Sequence, residues 1–181
     1  MESELLELLK YPIGKAKIPE VITEIDIQKW IKILDSFPRK MRLITQNLSE
    51  EQLDTPYRPD GWTIRQVVHH VVDSHYNSYI RFKWTLTEDR PVIKDYREEK
   101  WAELIDYKAP IELSLKALES LHAKLVYLLK TLSPEDLKRV FIRPGSHEEV
   151  SLEKNIGIYA WHSEHHYSHI ANLLMAKDWL S

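Results

Sequence analysis

The chain contains no cysteine, which excludes disulfides and any thiolate metal site and leaves nitrogen and oxygen as the only donors a metal could use. A cysteine-free chain fits a reducing compartment, and the expected location is the cytoplasm. Basic excess is missing too: 25 Lys and Arg against 28 Asp and Glu give a formal net charge of -3. Neither nucleic acid nor an anionic membrane surface is therefore an expected partner, and a small-molecule substrate is. No stretch approaches the roughly 18 uninterrupted apolar residues of a membrane span, and the opening MESELLELLKYPIGK lacks the basic and apolar regions of a secretion signal. Internal repeats and low-complexity tracts are absent. Glycine is scarce, with four in 181 residues, and long runs of helix formers point to an all-α fold in one domain spanning residues 1–181.

Four amphipathic segments carry that reading. The first follows Asp26 as N-cap, sets Ile27, Trp30, Ile31 and Leu34 at helical spacing, bends at Pro38 and continues to Leu48. A short helical turn follows, opened by the Ser49/Gln52 capping box. The second long helix opens with the Thr63/Gln66 box and runs towards Leu86. Residues 87–110 form a charged crossover with Tyr96, Trp101, Tyr107 and one short helix, a long excursion of the kind that covers sites. The third helix follows Pro110 and presents a leucine face from Leu113 to Leu129. Ser133-Pro134 starts a further short turn, and residues around Pro144-Gly145 form a small hairpin or loop. Ser151 caps the fourth helix, which runs through Met175. The expected architecture is a four-helix bundle with a long crossover, a fold that builds metal sites from side chains on facing helices.

Histidine is where this composition departs from the ordinary. Most of the nine histidines fall in TIRQVVHHVVDSH and WHSEHHYSHI. His162/His166 and His165/His169 are both i, i+4 pairs, which stack two imidazoles on one helix face within reach of one ion. Ile156, Tyr159, Ala160, Ile170 and Leu174 define the apolar stripe of the last helix. His166 borders it and His162 lies one row out, so this pair sits at the core rim, where a partner helix can reach it. His165 and His169 are rotated away, towards solvent or a supporting position. On the second helix, His69 and His70 flank the apolar direction at nearly equal angles, and periodicity does not choose between them. His75 lies in the middle of the apolar face as a hydrogen-bonded core histidine. His122 and His147 are isolated and default to surface or loop.

The stretch LDTPYRPDGWTIRQVVHHVVDSHYNSYIRFK, with YPIG near the start and YAWHSEHHYSHI near the end, resembles the DinB-like superfamily in its YfiT-like branch. The likeness spans nearly the whole chain. It implies a four-helix bundle with one divalent ion held by three histidines, here His70, the second of the HH pair, together with His162 and His166. It further implies metal-dependent hydrolysis, relatives that use low-molecular-weight thiols such as bacillithiol or mycothiol, and a tendency to form homodimers.

Three neutral imidazoles leave an ion its positive charge and an open coordination position, the arrangement of a catalytic rather than a structural site. Zinc suits three nitrogens, and nickel, manganese and iron are tolerated by the same ligands. Asp73, three residues after His70, is the candidate supporting carboxylate or general base. Glu164 reads as ordinary surface, and Arg58, Arg65 and Arg81 are candidate anion anchors. The functional readings in order are a metal-dependent hydrolase of a small substrate, a metal-dependent S-transferase joining a small thiol to an electrophile, and a bundle that binds metal or ligand without turnover.

Overall fold

The computed structural model describes residues 2–179. Its frame is four long helices: α2 (Glu24–Thr45), α4 (Ile64–Thr87), α6 (Ile111–Leu129) and α8 (Leu152–Ala176). Short helices precede or link them: α1 (Glu2–Lys10), α3 (Glu50–Leu53), α5 (Glu98–Trp101) and α7 (Pro134–Lys138). A 3₁₀ turn spans Ile105–Lys108. Strands β1 (Val140–Ile142) and β2 (Glu149–Ser151) pair antiparallel as a hairpin before α8.

Caps in the sequence explain most of the boundaries. Reciprocal capping boxes start α3 at Ser49/Gln52, α4 at Thr63/Gln66 and α7 at Ser133/Asp136, and Ser151 caps α8. The start of α2 differs from expectation: Thr23 is the N-cap, and Asp26 is the reciprocal partner three residues on, its carboxylate accepting from the Thr23 backbone N–H at 3.0 Å. Asp26 was the stronger capping residue by type, but the box needs both members, and only Thr23 is placed to supply the first.

Each bundle helix contacts two others, α2 and α4 each packing against both α6 and α8. Consecutive α2 and α4 therefore lie on opposite corners, and the long α4–α6 connection runs back along α4, from Ile93 near its C-terminal end to Tyr107 at Asp73 and Ala102 at Gln66. One apolar cluster gathers Phe37, Met41, Val67, Val71, Leu118 and Ile170; another gathers Leu34, Phe82, Leu125, Phe141, Leu152 and Ile156. Helix α2 continues unbroken through Pro38. Proline has no N–H, so the Leu34 carbonyl loses its helical donor. That carbonyl accepts instead from His122 Nδ1–H on α6, at 2.6 Å.

The α2–α8 contact depends on Gly157. A Cβ there would stand 2.8 Å from Trp30 Cη2 and 2.9 Å from Ile18 Cδ1, closer than nonbonded carbons tolerate. Gly157→Val should destabilise the protein by about 2 kcal/mol through overpacking, read as a fall in the urea midpoint at unchanged slope.

Candidate metal centre

The regular turns of α4 and α8, facing each other across the bundle, bring His70 together with His162 and His166. One ring nitrogen from each lies within 4.8 Å of the others. His70 Nε2 and His162 Nε2 are 3.3 Å apart, and the His70 ring lies edge-on to His166 with centroids 4.8 Å apart. Two nitrogens bound to one ion at about 2.0 to 2.1 Å in tetrahedral geometry stand roughly 3.3 to 3.4 Å apart, so the donor set fits an ion of that size. Burial holds all three imidazoles below their ordinary pKa, His70 at about 4 and His162 and His166 well below 6.5. Each is therefore neutral with a lone pair to give. His70 Nδ1 has no hydrogen-bond partner among the described residues.

The structure separates the two candidates that periodicity left equal. His69 has both ring nitrogens engaged, Nδ1 with Ser114 Oγ at 2.7 Å and Nε2 donating to the Ala109 carbonyl at 3.1 Å. His70 is the one that faces α8. Its ring lies against Trp62, centroids 4.5 Å apart.

Other histidines lie closer to this cluster than expected. His165 and His169, expected towards solvent or in a supporting position, are both buried, because α1 and the residues after it cover that side of α8. His169 Nε2 donates to the Lys10 carbonyl at 3.1 Å, Tyr57 stacks on its ring, and Tyr11 and Trp161 flank His165. With His166 they form a second convergent trio. His122, read as surface, is 2 % exposed. Two signals pointed to it: Leu118, Leu121 and Leu125 surround it at helical spacing, and the mid-helix Pro38 leaves a carbonyl in need of a donor. His75 is the core histidine expected, fully buried and bonded on both sides, to His162 Nδ1 at 3.2 Å and to His122 Nε2 at 2.9 Å.

Asp73 lies one turn along α4 from His70 and accepts from the Tyr107 hydroxyl at 2.7 Å. Burial raises its pKa, partly offset by that hydrogen bond. Tyr107 and Tyr96 both come from the crossover, and on α4 Ser74 Oγ is 3.5 Å from His162 Nε2. Tyr107 also packs against His69, centroids 5.5 Å apart, so the crossover covers the His69 side of α4. Arg65 is clamped by Asp54 at 2.7 Å and Glu50 at 2.5 Å, and Arg58 donates to the Pro59 carbonyl. Arg81 donates to the Tyr159 hydroxyl at 3.3 Å, and its buried Nε has no partner among the described residues. Glu164 pairs with Lys40 at 2.8 Å, away from the cluster.

A bundle with this topology and a tris-histidine cluster between two of its helices defines a class, and the comparisons agree with it. The DinB superfamily profile matches residues 33–170, and the chain belongs to that superfamily. A relative from Oceanobacillus iheyensis is 51% identical over 170 residues, covering 94% of this chain and 98% of its own. One from Bacillus mycoides is 52% identical over 171 residues with the same coverage. Both are provisionally named metal-dependent hydrolases. Among solved structures, YfiT from Bacillus subtilis superposes with a TM-score of 0.93 at 46% identity, covering 96% of this chain and 99% of its own. It is described as a probable metal-dependent hydrolase with an unusual four-helix bundle topology. TT2238, a four-helix bundle protein at 16% identity, TM-score 0.57 and coverage of 81% and 98%, shares the fold. Among the described residues no helix is long and apolar enough to cross a membrane.

Burying so many neutral imidazoles ties stability to pH. Besides the cluster, His122 and His169 are held at about 4 and His165 at about 3, each mainly by burial. Above about pH 6.5, folded and unfolded histidines are both neutral. As pH falls from there towards 4, the unfolded chain takes up protons that the folded chain does not, so stability falls with pH. With two or more such histidines the metal-free protein should lose about 2.7 kcal/mol or more per pH unit near pH 5. Urea midpoints between pH 7.5 and 5 measure this slope, and a flat profile would contradict the buried, neutral assignment.

Proposed function

We propose that this chain is a single-domain metal-dependent hydrolase of a small substrate, holding one divalent ion, zinc in our reading, through His70, His162 and His166. The observation that carries the proposal is the convergence of three neutral imidazoles from α4 and α8, His70 and His166 buried and His162 half-buried, with no carboxylate among them. An ion there supplies Lewis acidity, lowering the pKa of a coordinated water towards about 7 and polarising a carbonyl or phosphoryl oxygen. The protein's own groups do the rest. His70, His162 and His166 fix the ion's position and contribute no compensating charge. Trp62 against His70 restricts water beside the cluster. Asp73 is the base in this proposal: one oxygen accepts from Tyr107, its raised pKa suits proton uptake, and its other oxygen is left to take a proton from water. Cytoplasmic location and a homodimeric assembly belong to the same reading, supported by the cysteine-free composition and by the family resemblance.

A second reading uses the same residues. Because no ligand is anionic, the site favours an anionic sulfur over a neutral ester, and an external small thiol could serve as nucleophile in an S-transferase. Zinc-loaded protein assayed for ester and amide hydrolysis, and for consumption of glutathione, bacillithiol and mycothiol with a model electrophile, separates the two. Hydrolysis without thiol consumption supports the first reading, and thiol consumption alone replaces it with the second.

His70→Ala, His162→Ala and His166→Ala should each abolish stoichiometric zinc binding in equilibrium dialysis, whereas His165→Ala should retain it. Equal losses from all four variants would overturn the ligand assignment. Asp73→Asn should keep zinc and lower hydrolysis about 10²- to 10⁴-fold, the usual contribution of a general base.

A further inference from the structure

Two hydrogen-bond chains run into the cluster, and both begin at backbone carbonyls that lack a helical donor. The first begins at the Leu34 carbonyl on α2, left without a helical partner by Pro38. A carbonyl only accepts, so the 2.6 Å contact requires the proton on His122 Nδ1. A neutral imidazole has one N–H and one lone pair. His122 Nε2 is therefore the acceptor, and His75 Nδ1–H donates to it across 2.9 Å. By the same rule His75 Nε2 accepts from His162 Nδ1–H across 3.2 Å. That leaves the lone pair of His162 on Nε2, the nitrogen facing His70 Nε2.

The second chain is shorter. Lys10 is the last residue of α1, and its carbonyl belongs to the set a helix end leaves unpaired. It accepts from His169 Nε2–H across 3.1 Å. His169 Nδ1 then accepts from His166 Nδ1–H across 3.4 Å, a longer contact, and the lone pair of His166 falls on Nε2.

We propose that His122 and His75, anchored on Leu34, and His169, anchored on Lys10, are positioning residues that lock His162 and His166 in the Nδ1–H form. Each then presents a bare Nε2 to the centre before any ion arrives. Metal-bound histidines ordinarily donate their second nitrogen to a carboxylate or a carbonyl. Here other imidazoles relay that role from carbonyls on α2 and α1, too far away to bond the ligands directly. Phe37 packs against the longer relay, its ring 5.5 Å from His75 and 5.6 Å from His122. The inference rests on the ligand assignment proposed above, but its first test needs no metal.

In the metal-free protein at about pH 7.5, two-bond ¹H–¹⁵N correlation spectra should show His162 and His166 each as a single Nδ1–H tautomer. His122→Phe keeps the packing against Phe37 but leaves His75 without an acceptor, so His162 should become a mixture while His166 is unchanged. His169→Phe should do the reverse. His122→Gln can donate to Leu34 through its amide NH₂ and accept from His75 through its amide oxygen, so it should restore the single His162 form. Chelator competition should follow the spectra: zinc affinity falls about 10- to 100-fold in the two Phe variants and recovers in His122→Gln. Circular dichroism confirms that each variant is folded.

A wild-type protein that binds zinc but shows mixed or Nε2–H tautomers when metal-free would overturn the relay and leave the ligand assignment standing. The expected tautomers in a protein that binds no zinc would overturn the ligand assignment and leave the relay standing. Should His122→Phe refold poorly, His122→Gln and His169→Phe still decide the question: loss of the single His162 form in the former, or an unchanged His166 in the latter, counts against the relay.

Discussion

A buried neutral imidazole must have its one donor and one acceptor matched, or it costs the desolvation of whichever is left over. Seven histidines are buried among the described residues, and their partners are drawn from every long helix. Leu34 on α2, His122 on α6, His75 on α4 and His162 on α8 form one continuous line through the bundle. Apolar packing alone would tolerate small rotations of these helices about their axes. A row of hydrogen bonds between 2.6 and 3.2 Å tolerates far less. The polar line and the apolar clusters on either side of it therefore constrain each other, and the position of the three convergent histidines follows from both.

The convergent donors are all imidazole nitrogens. Asp73 is tied to Tyr107, and Glu164 to Lys40. Glu50 and Asp54 are occupied by Arg65. A donor set of neutral nitrogens suits a borderline divalent ion and leaves the charge of that ion to act on whatever binds beside it. The crossover, expected as an ordered excursion of the kind that covers a site, contributes Tyr107, which holds the Asp73 carboxylate.

Much of this was legible before any coordinates. Helical periodicity, the capping boxes at Ser49 and Thr63 and the Ser133-Pro134 start signal located the helices, because caps are local and depend on residues a few positions apart. Periodicity on α8 likewise singled out His162 and His166 at the core rim. The start of α2 was misplaced by three residues, since Asp26 and Thr23 are both capping types and only their mutual bonding shows which is the cap. His69 and His70 straddle the apolar direction of α4 symmetrically, and an intrahelical pattern has no information about which flank meets α8.

What the sequence by itself determined was therefore local: an all-α chain, four long amphipathic helices, an i, i+4 histidine pair at the core rim of the last of them, and the absence of any thiolate ligand. Tertiary structure decided which neighbour each flank would meet. It turned His70 towards α8 and His69 towards Ser114 and Ala109, placed α1 over His169, and set His122 beneath a carbonyl that Pro38 had stripped of its donor. These outcomes depend on contacts between residues 40 to 159 positions apart, and a helical repeat of 3.6 residues records nothing about partners at that distance.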